Sequence, residues 1–435
     1  MVRKVALISL VIIGLISFTP VSGYLINIEG SGHIYELQTG TRKSAMLDYI
    51  EALYSYNEGA FYGYLKDWPT DSRIHSYHTL TDLYRPLTTL SYLSSLNYID
   101  LSNCSVFAKS LLNMNEMADY YGPVNYSRDT PCSVISCEVA YDVYNILNLS
   151  GYLPLDDLVD FVVLSQGESG GFQNDIWGEL PEEELVNTQV ALSLLNSCDA
   201  IDLIDSEAAL SFIISCYSEG GFSYVPDGYV ELGAMPLALM CLDYLGELKN
   251  VDKNGITEFI LSQWDNETGS VPDGTIVDTE RAVWSLYLLN ELDQVDINAT
   301  IEWVLSCQSM EHGGFLHYPD GESIDERLEW TRAAVHILYL LDQLDVLDVQ
   351  FSVYARPTHI IPQGYYDFIR EYVDTTSNPS APHFPLPNVD FVAIFLNIAP
   401  GLAILSVILL PAAYFVYQDR RKKAIRQELK KKRNR

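Results

Sequence analysis

The sequence predicts an all-α protein built from six two-helix repeats, and three observations carry that prediction. A turn of small residues recurs at a period of roughly fifty residues. It reads Gly59-Ala60-Phe61, Gly122-Pro123-Val124, Gly170-Gly171-Phe172, Gly220-Gly221-Phe222, Gly269-Ser270-Val271 and Gly313-Gly314-Phe315. Related helix ends precede four of the turns: FVVLSQ, FIISCY, FILSQW and WVLSCQ. Segments apolar nearly all round follow them, such as LVNTQVALSLL and LEWTRAAVHILYLL, which is how a helix reads when it is buried on both sides.

The sixth unit shows the logic most clearly. Ile297, Ile301, Val304 and Leu305 recur at helical spacing and give an outer helix with one apolar face. Gly313 and Gly314 are expected to end it, because a chain leaving a helix through positive φ tolerates no Cβ. Ala333, Ile337, Leu340 and Leu344 then mark the inner helix. Residues 45–350 carry the repeats, preceded by a short N-terminal arm at 24–44.

The ends of the chain read differently. Residues 1–23 have the zones of a secretory signal: Arg3 and Lys4, an apolar run from Val5 to Ile16, then Val21-Ser22-Gly23 as a cleavage point. The same stretch left uncleaved would be an N-terminal anchor. Residues 351–388 end in a proline-rich stretch that reads as a stalk or linker. Residues 391–417 carry no charge until the basic tail and are long enough for one transmembrane helix. The tail at 418–435 holds 10 Lys/Arg against 2 Asp/Glu, leaving 14 against 56 in residues 24–417. That asymmetry places the tail in the cytoplasm and the body outside the cell membrane, as a single-pass type I protein. So acidic a body argues against nucleic acid and anionic lipid as its partners, and the transmembrane helix names the lipid bilayer as one. Five glycosylation sequons, at Asn103, Asn125, Asn148, Asn266 and Asn298, agree with an extracellular glycoprotein. Seven cysteines leave at least one thiol unpaired in a monomer, and packing within the repeat accounts for Cys216 and Cys307.

The repeats, clearest in SCQSMEHGGFLHYPDG and SCYSEGGFSYVPDG, resemble those of the prenyltransferase and squalene-cyclase family. The resemblance covers about 300 residues and implies an (α/α)6 toroid, with six inner helices around a cavity and six outer helices around them. It also implies zinc, which protein prenyltransferases hold with an Asp-x-Cys at one inner helix and a His in the next. The matching positions here are Asp278-Thr279-Glu280 and Thr331. Thiolate and imidazole are both missing, so no cofactor is expected. The Asp-x-Asp-Asp of triterpene cyclases and the thioester motif of complement-like toroids are absent as well.

By analogy with that family, the N-terminal ends of the inner helices converge on one mouth. Aligning them brings Arg85, Glu138, Gln189, Ala234, Arg281 and Arg332 to one level, with Asp82, Glu231, Asp278 and Glu329 three residues earlier. Acid and arginine at i, i+3 share a helix face. Asp82, Arg85, Glu231, Asp278, Arg281, Glu329 and Arg332 are therefore the candidate ligand-binding residues. Asp278, Glu280 and Glu329 are the candidate catalytic carboxylates. The competing reading is that each acid complements its own helix dipole and its own arginine. His75 and His78, before the first inner helix, and Trp284, Trp330 and Tyr339 are further candidates, for a base and for a cavity wall.

Two classes of function follow. One is a membrane-anchored extracytoplasmic module that binds a glycan, lipid or protein partner. The other is an enzyme, either of prenyltransferase or terpene-cyclase type or a carboxylate-based enzyme acting on glycans.

Overall fold

Apolar stripes of two widths sort the helices into two layers. The computed structural model describes residues 25–27, 34–55, 59–62, 79–112, 123–125, 132–174, 183–272, 274–319, 321 and 327–354. Among them twelve α-helices alternate along the chain. The outer helices are α1 (Arg42–Ala52), α3 (Ser102–Ser110), α5 (Leu155–Leu164), α7 (Ser206–Ser215), α9 (Lys253–Ser262) and α11 (Ile297–Ser306). The inner helices are α2 (Leu80–Tyr92), α4 (Val134–Ile146), α6 (Leu185–Ser197), α8 (Ala234–Tyr244), α10 (Ile276–Leu289) and α12 (Leu328–Leu340). Each inner helix packs on the next, and α12 packs back on α2, so the inner layer is a closed ring. Outer helices lie against it, as α5 does on α4 and α6 and α9 on α10. One continuous core runs from Met46 to Leu347. The toroid expected from the repeats is the fold.

The repeated glutamine shows how the units are joined. In the third repeat Gln166 Nε2 donates to Asp205 O at 2.9 Å and Gly170 O at 3.2 Å, while Asp205 N donates to Gln166 Oε1. The side chain thus clips its own turn to the start of the next outer helix. Gln308 does the same in the last repeat, and the next outer helix is α1. Its Nε2 donates to Arg42 O and Gly313 O, each at 3.0 Å, and Arg42 Nη1 donates to Gln308 Oε1 and Leu305 O. The clip that joins successive repeats also closes the ring.

Three expectations change. Helix α11 ends at Ser306 with Cys307 as its cap, well before Gly313. The positive φ of Gly313, +84°, serves the turn instead, where a Cβ would stand 2.5 Å from Ala45 O of α1. Gly170, at φ +97°, approaches Ala208 O of α7 in the same way. The fold is mostly helical rather than all-α. Strands β1 (Leu25–Asn27), β2 (Ile34–Thr41) and β3 (Gln350–Tyr354) form an antiparallel sheet in the order β1-β2-β3, with Thr41 opposite Gln350. Part of the N-terminal arm is therefore a strand that ties the two ends of the ring together, and the ring begins at Arg42 rather than residue 45. Two-residue strand pairs occur within the turns, such as Tyr217–Ser218 with Gly221–Phe222. The signal segment, the proline-rich stalk beyond Tyr354, the transmembrane helix at 391–417, the basic tail, His75 and His78 lie outside the described residues. Among the described residues no helix is long and apolar enough to cross a membrane.

Candidate functional site

Turn hydrogen bonds set the register of the inner helices. Phe172 N donates to Thr188 Oγ1 at 3.1 Å, Val271 N to Thr279 Oγ1 at 3.3 Å and Phe315 N to Thr331 Oγ1 at 3.1 Å. In the fourth repeat Phe222 N donates to Met235 Sδ at 3.4 Å. The residues that follow these acceptors share a level: Gln189, Glu280, Arg332 and Pro236. Cys137 is the fourth residue of α4, as those threonines are of their helices, so Glu138 joins the level. Thr79 with Asp82 and Thr275 with Asp278 form matching capping boxes, which brings Tyr84 level with Glu280. The alignment that placed Arg85 and Arg281 at this level is thus off by one residue, and Ala234 by two.

That shift redistributes the predicted acid and arginine pairs. Only Asp278 and Arg281 pair within one helix, at 3.2 Å. Asp82 turns back to its own cap, accepting from Thr79 N at 2.8 Å and from Thr79 Oγ1 at 3.0 Å. Arg85 pairs with Glu329 of α12 at 3.6 Å, and Arg332 pairs with Glu280 of α10 at 2.9 Å. Glu231 precedes α8 and is exposed. Its carboxylate, with that of Asp278, raises the nearby Tyr224 hydroxyl, whose largest upward push is burial and which Arg281 pulls back. The seven candidates are thus divided between caps, the α12–α2 and α10–α12 seams, and an exposed loop.

The chemistry lies at this level and one turn further along the inner helices. Glu138, Ser193, Met240, Trp284 and Arg332 are each partly accessible between two buried sequence neighbours. Enclosed by the outer layer, such a stripe faces the hollow of the ring. One wall of the hollow holds an ionic triad. Glu280 accepts from Arg332 and lies 2.6 Å from His336 Nδ1, which donates to it. Burial pushes the Glu280 carboxyl up, but the Arg332 charge and the His336 hydrogen bond outweigh it and hold the group down at about 2. Trp284 meets His336 edge-on at 5.1 Å, and Tyr92 stacks on both His336 and Tyr339.

A second wall holds two carboxyls. Glu138 and Asp142 stand at i, i+4 on α4, one above the other. Burial and the Asp142 charge push Glu138 up to about 8, against the pull of a hydrogen bond from Ser193. Burial pushes Asp142 up to about 6. Tyr84 stands between the walls: burial, Glu138 and Asp142 raise its hydroxyl, and Arg332 lowers it. Sequence reasoning placed Glu138 on the ring but left it out of the site, and it missed Asp142 and His336. Charged pairs at i, i+4 in otherwise apolar helices, Glu138 with Asp142 and Arg332 with His336, were the available signal.

The residues at the family's zinc positions do not form a zinc donor set. Asp278 is committed to Thr275 and Arg281, and Glu280 to Arg332 and His336. Thr279 and Thr331 hold their turns. A guanidinium within 2.9 Å of Glu280 would also repel a cation placed there. Among the described residues no group of three His, Cys, Asp or Glu could hold a metal ion.

Comparison with known proteins agrees with the fold. The profile of the prenyltransferase alpha-alpha toroid domain matches residues 27–179, 155–274 and 268–361. The geranylgeranyl transferase type-2 subunit beta of Saccharomyces cerevisiae is 24% identical over 254 residues, covering 56% of this chain and 73% of that one. Candida albicans protein geranylgeranyltransferase-I, solved with GGPP, is similar in structure at a TM-score of 0.53 and 18% identity, covering 70% of this chain and 94% of that one. A type II terpene cyclase from Scytonema reaches a TM-score of 0.47 at 13% identity, over 70% and 97% of the two chains.

Proposed function

The chain belongs to the prenyltransferase alpha-alpha toroid family, and we propose from that premise that its ring binds an isoprenoid-type lipid with a neutral or cationic head. In this reading the body stands outside the cell, held by the helix at 391–417, and carries out no zinc-dependent transfer. The observation that carries the proposal is the Glu280–Arg332–His336 triad. It stands closed on itself at the level where the family holds zinc, beside the aromatic wall of Trp284, Tyr92 and Tyr339. An apolar chain suits such a wall. A diphosphate finds no uncommitted arginine among the candidates, because Arg85 pairs with Glu329, Arg281 with Asp278 and Arg332 with Glu280. The acidic body repels anions at longer range as well. The test is tryptophan quenching by geranylgeraniol and by geranylgeranyl diphosphate, with Trp284→Phe as the control. The alcohol is expected to bind more tightly, by tenfold or more, with no effect of zinc. Tighter binding of the diphosphate, or zinc-dependent transfer, overturns the reading, and saturable binding of an oligosaccharide alone replaces lipid by glycan. Protease added to intact cells should remove the body and spare the basic tail.

Glu138 and Asp142 favour a second reading, an acid–base enzyme. Near neutral pH one carboxyl is protonated and its neighbour ionised, which is a proton donor and acceptor side by side. A carboxyl raised to about 8 is too weak an acid to protonate an isolated alkene. The pair therefore suits proton transfer at an already activated centre rather than olefin cyclisation. Loss of turnover in Glu138→Gln with lipid binding retained would favour the enzyme over the binding protein.

A further inference from the structure

The fourth residue of an inner helix has a repeated task. Thr188, Thr279 and Thr331 occupy it in α6, α10 and α12, and each hydroxyl accepts the N–H of its repeat's turn. In α4 the fourth residue is Cys137, and its sulfur faces another sulfur: Cys132 Sγ is 3.2 Å away. Cys132 immediately precedes the helix cap, Ser133. The two sulfurs thus fill the positions before the cap and four residues inside, where apolar side chains meet to set the angle at which a chain joins a helix. The capping box fixes that approach. Ser133 N donates to Ser136 Oγ at 2.7 Å, and Ser136 N donates to Ser133 Oγ at 3.1 Å. Ser136 Oγ also donates to Cys132 Sγ at 3.6 Å.

We propose that Cys132 and Cys137 are the two halves of a disulfide that staples the start of α4 covalently. All seven cysteines are thiols in this structure, and a covalent bond of about 2.0 Å requires only a short further approach of these two. The oxidant is a disulfide of the glutathione class. The Cys132 thiolate attacks one sulfur of that disulfide, breaking its S–S bond and releasing one glutathione thiolate. Cys137, deprotonated in turn, attacks Cys132 Sγ of the mixed disulfide and releases the second. Two protons and two electrons leave the pair and reappear in two glutathione thiols. The second step is intramolecular between sulfurs already in contact, so its effective concentration is high. Both sulfurs are buried, so oxidation takes place before the ring closes or during local opening. The staple holds the turn that carries Glu138, the residue next to Cys137. The proposal stands on local geometry and does not depend on which side of a membrane the body occupies.

The experiment equilibrates the full chain in glutathione buffers of graded redox poise, denatures it in an alkylating reagent, and maps the cysteines by mass spectrometry. At intermediate poise the peptide holding Cys132 and Cys137 should be two hydrogens lighter and unalkylated, while the other five cysteines are alkylated. Reductant should also lower the unfolding midpoint of the natural chain. It should not move that of Cys137→Thr, which restores the residue used in three other repeats. Full alkylation of both sulfurs at every poise overturns the proposal, and so does a Cys132 bonded elsewhere. Equal effects of reductant on the natural chain and Cys137→Thr overturn the stapling role.

Discussion

Arg332 reaches Glu280 on the neighbouring inner helix, 2.9 Å away, and not Glu329 on its own helix three residues back. Both groups are within range of an arginine, and burial decides between them. The Glu280 side chain is 3% exposed and that of Glu329 35%. A charge pair in the low-dielectric interior attracts more strongly than one facing water, and the buried carboxylate loses more if left alone.

Removing that arginine should therefore cost far more than removing one at the rim. Arg332→Met leaves Glu280 buried with only His336, and denaturant unfolding should show a loss of about 3–5 kcal/mol. Arg281→Ala breaks a pair whose side chains are 39% and 34% exposed, and its cost should be about 0–1 kcal/mol. Equal costs would mean that the two sites share one environment.

Stability should fall as pH rises from about 5 to about 8. Glu138 and Asp142 have folded pKa values raised to about 8 and about 6. Their protonated forms therefore favour the folded state, a contribution complete below the ordinary carboxylate range and lost as pH rises through those values. Glu280 has the opposite sign. Its folded value is depressed to about 2, so its contribution is complete above the ordinary range and lost as pH falls toward that value. Urea midpoints from about pH 2 to 8 test both, and Glu138→Gln should flatten the fall between about pH 6 and 8. A midpoint that climbs from pH 5 to 8 in the natural chain contradicts the raised pair.

Gly313 should tolerate no side chain. Alanine at φ +84° would be strained, and its Cβ would press on Ala45 O at the closing seam. Gly313→Ala should cost more than about 2 kcal/mol in thermal or chemical unfolding. Gly151, where an added methyl would meet nothing within 4 Å, serves as the control, and Gly151→Ala should be nearly silent.

A strong chelator should leave the melting temperature unchanged. The hydroxyls of Thr279 and Thr331 are occupied by their turns, and Glu280 by Arg332 and His336. A drop on chelation, restored by zinc and absent in Glu280→Gln, would show that the triad opens to hold a metal.

Much of this molecule was legible along the chain. The number of repeats, the two-helix unit and the distinction between inner and outer helices follow from apolar spacing and Gly-aromatic turns, such as Gly170-Gly171-Phe172 and Gly313-Gly314-Phe315. Those signals are local, because a helix face and a positive-φ turn are set by residues a few positions apart. Asp278 with Arg281 was legible for the same reason. The tertiary structure alone decided which groups meet across helices. Gln308 finds Arg42 from the far end of the ring, Arg332 selects Glu280, and Glu138 with Asp142 turns into the hollow. Spacing along one helix states which side chains share a face but not the register of the helix beside it. That register is fixed by the bonds from Phe172, Val271 and Phe315 to the first turn of each inner helix, and a shift of one residue there exchanges Arg281 for Glu280 at the level that faces the ring's interior.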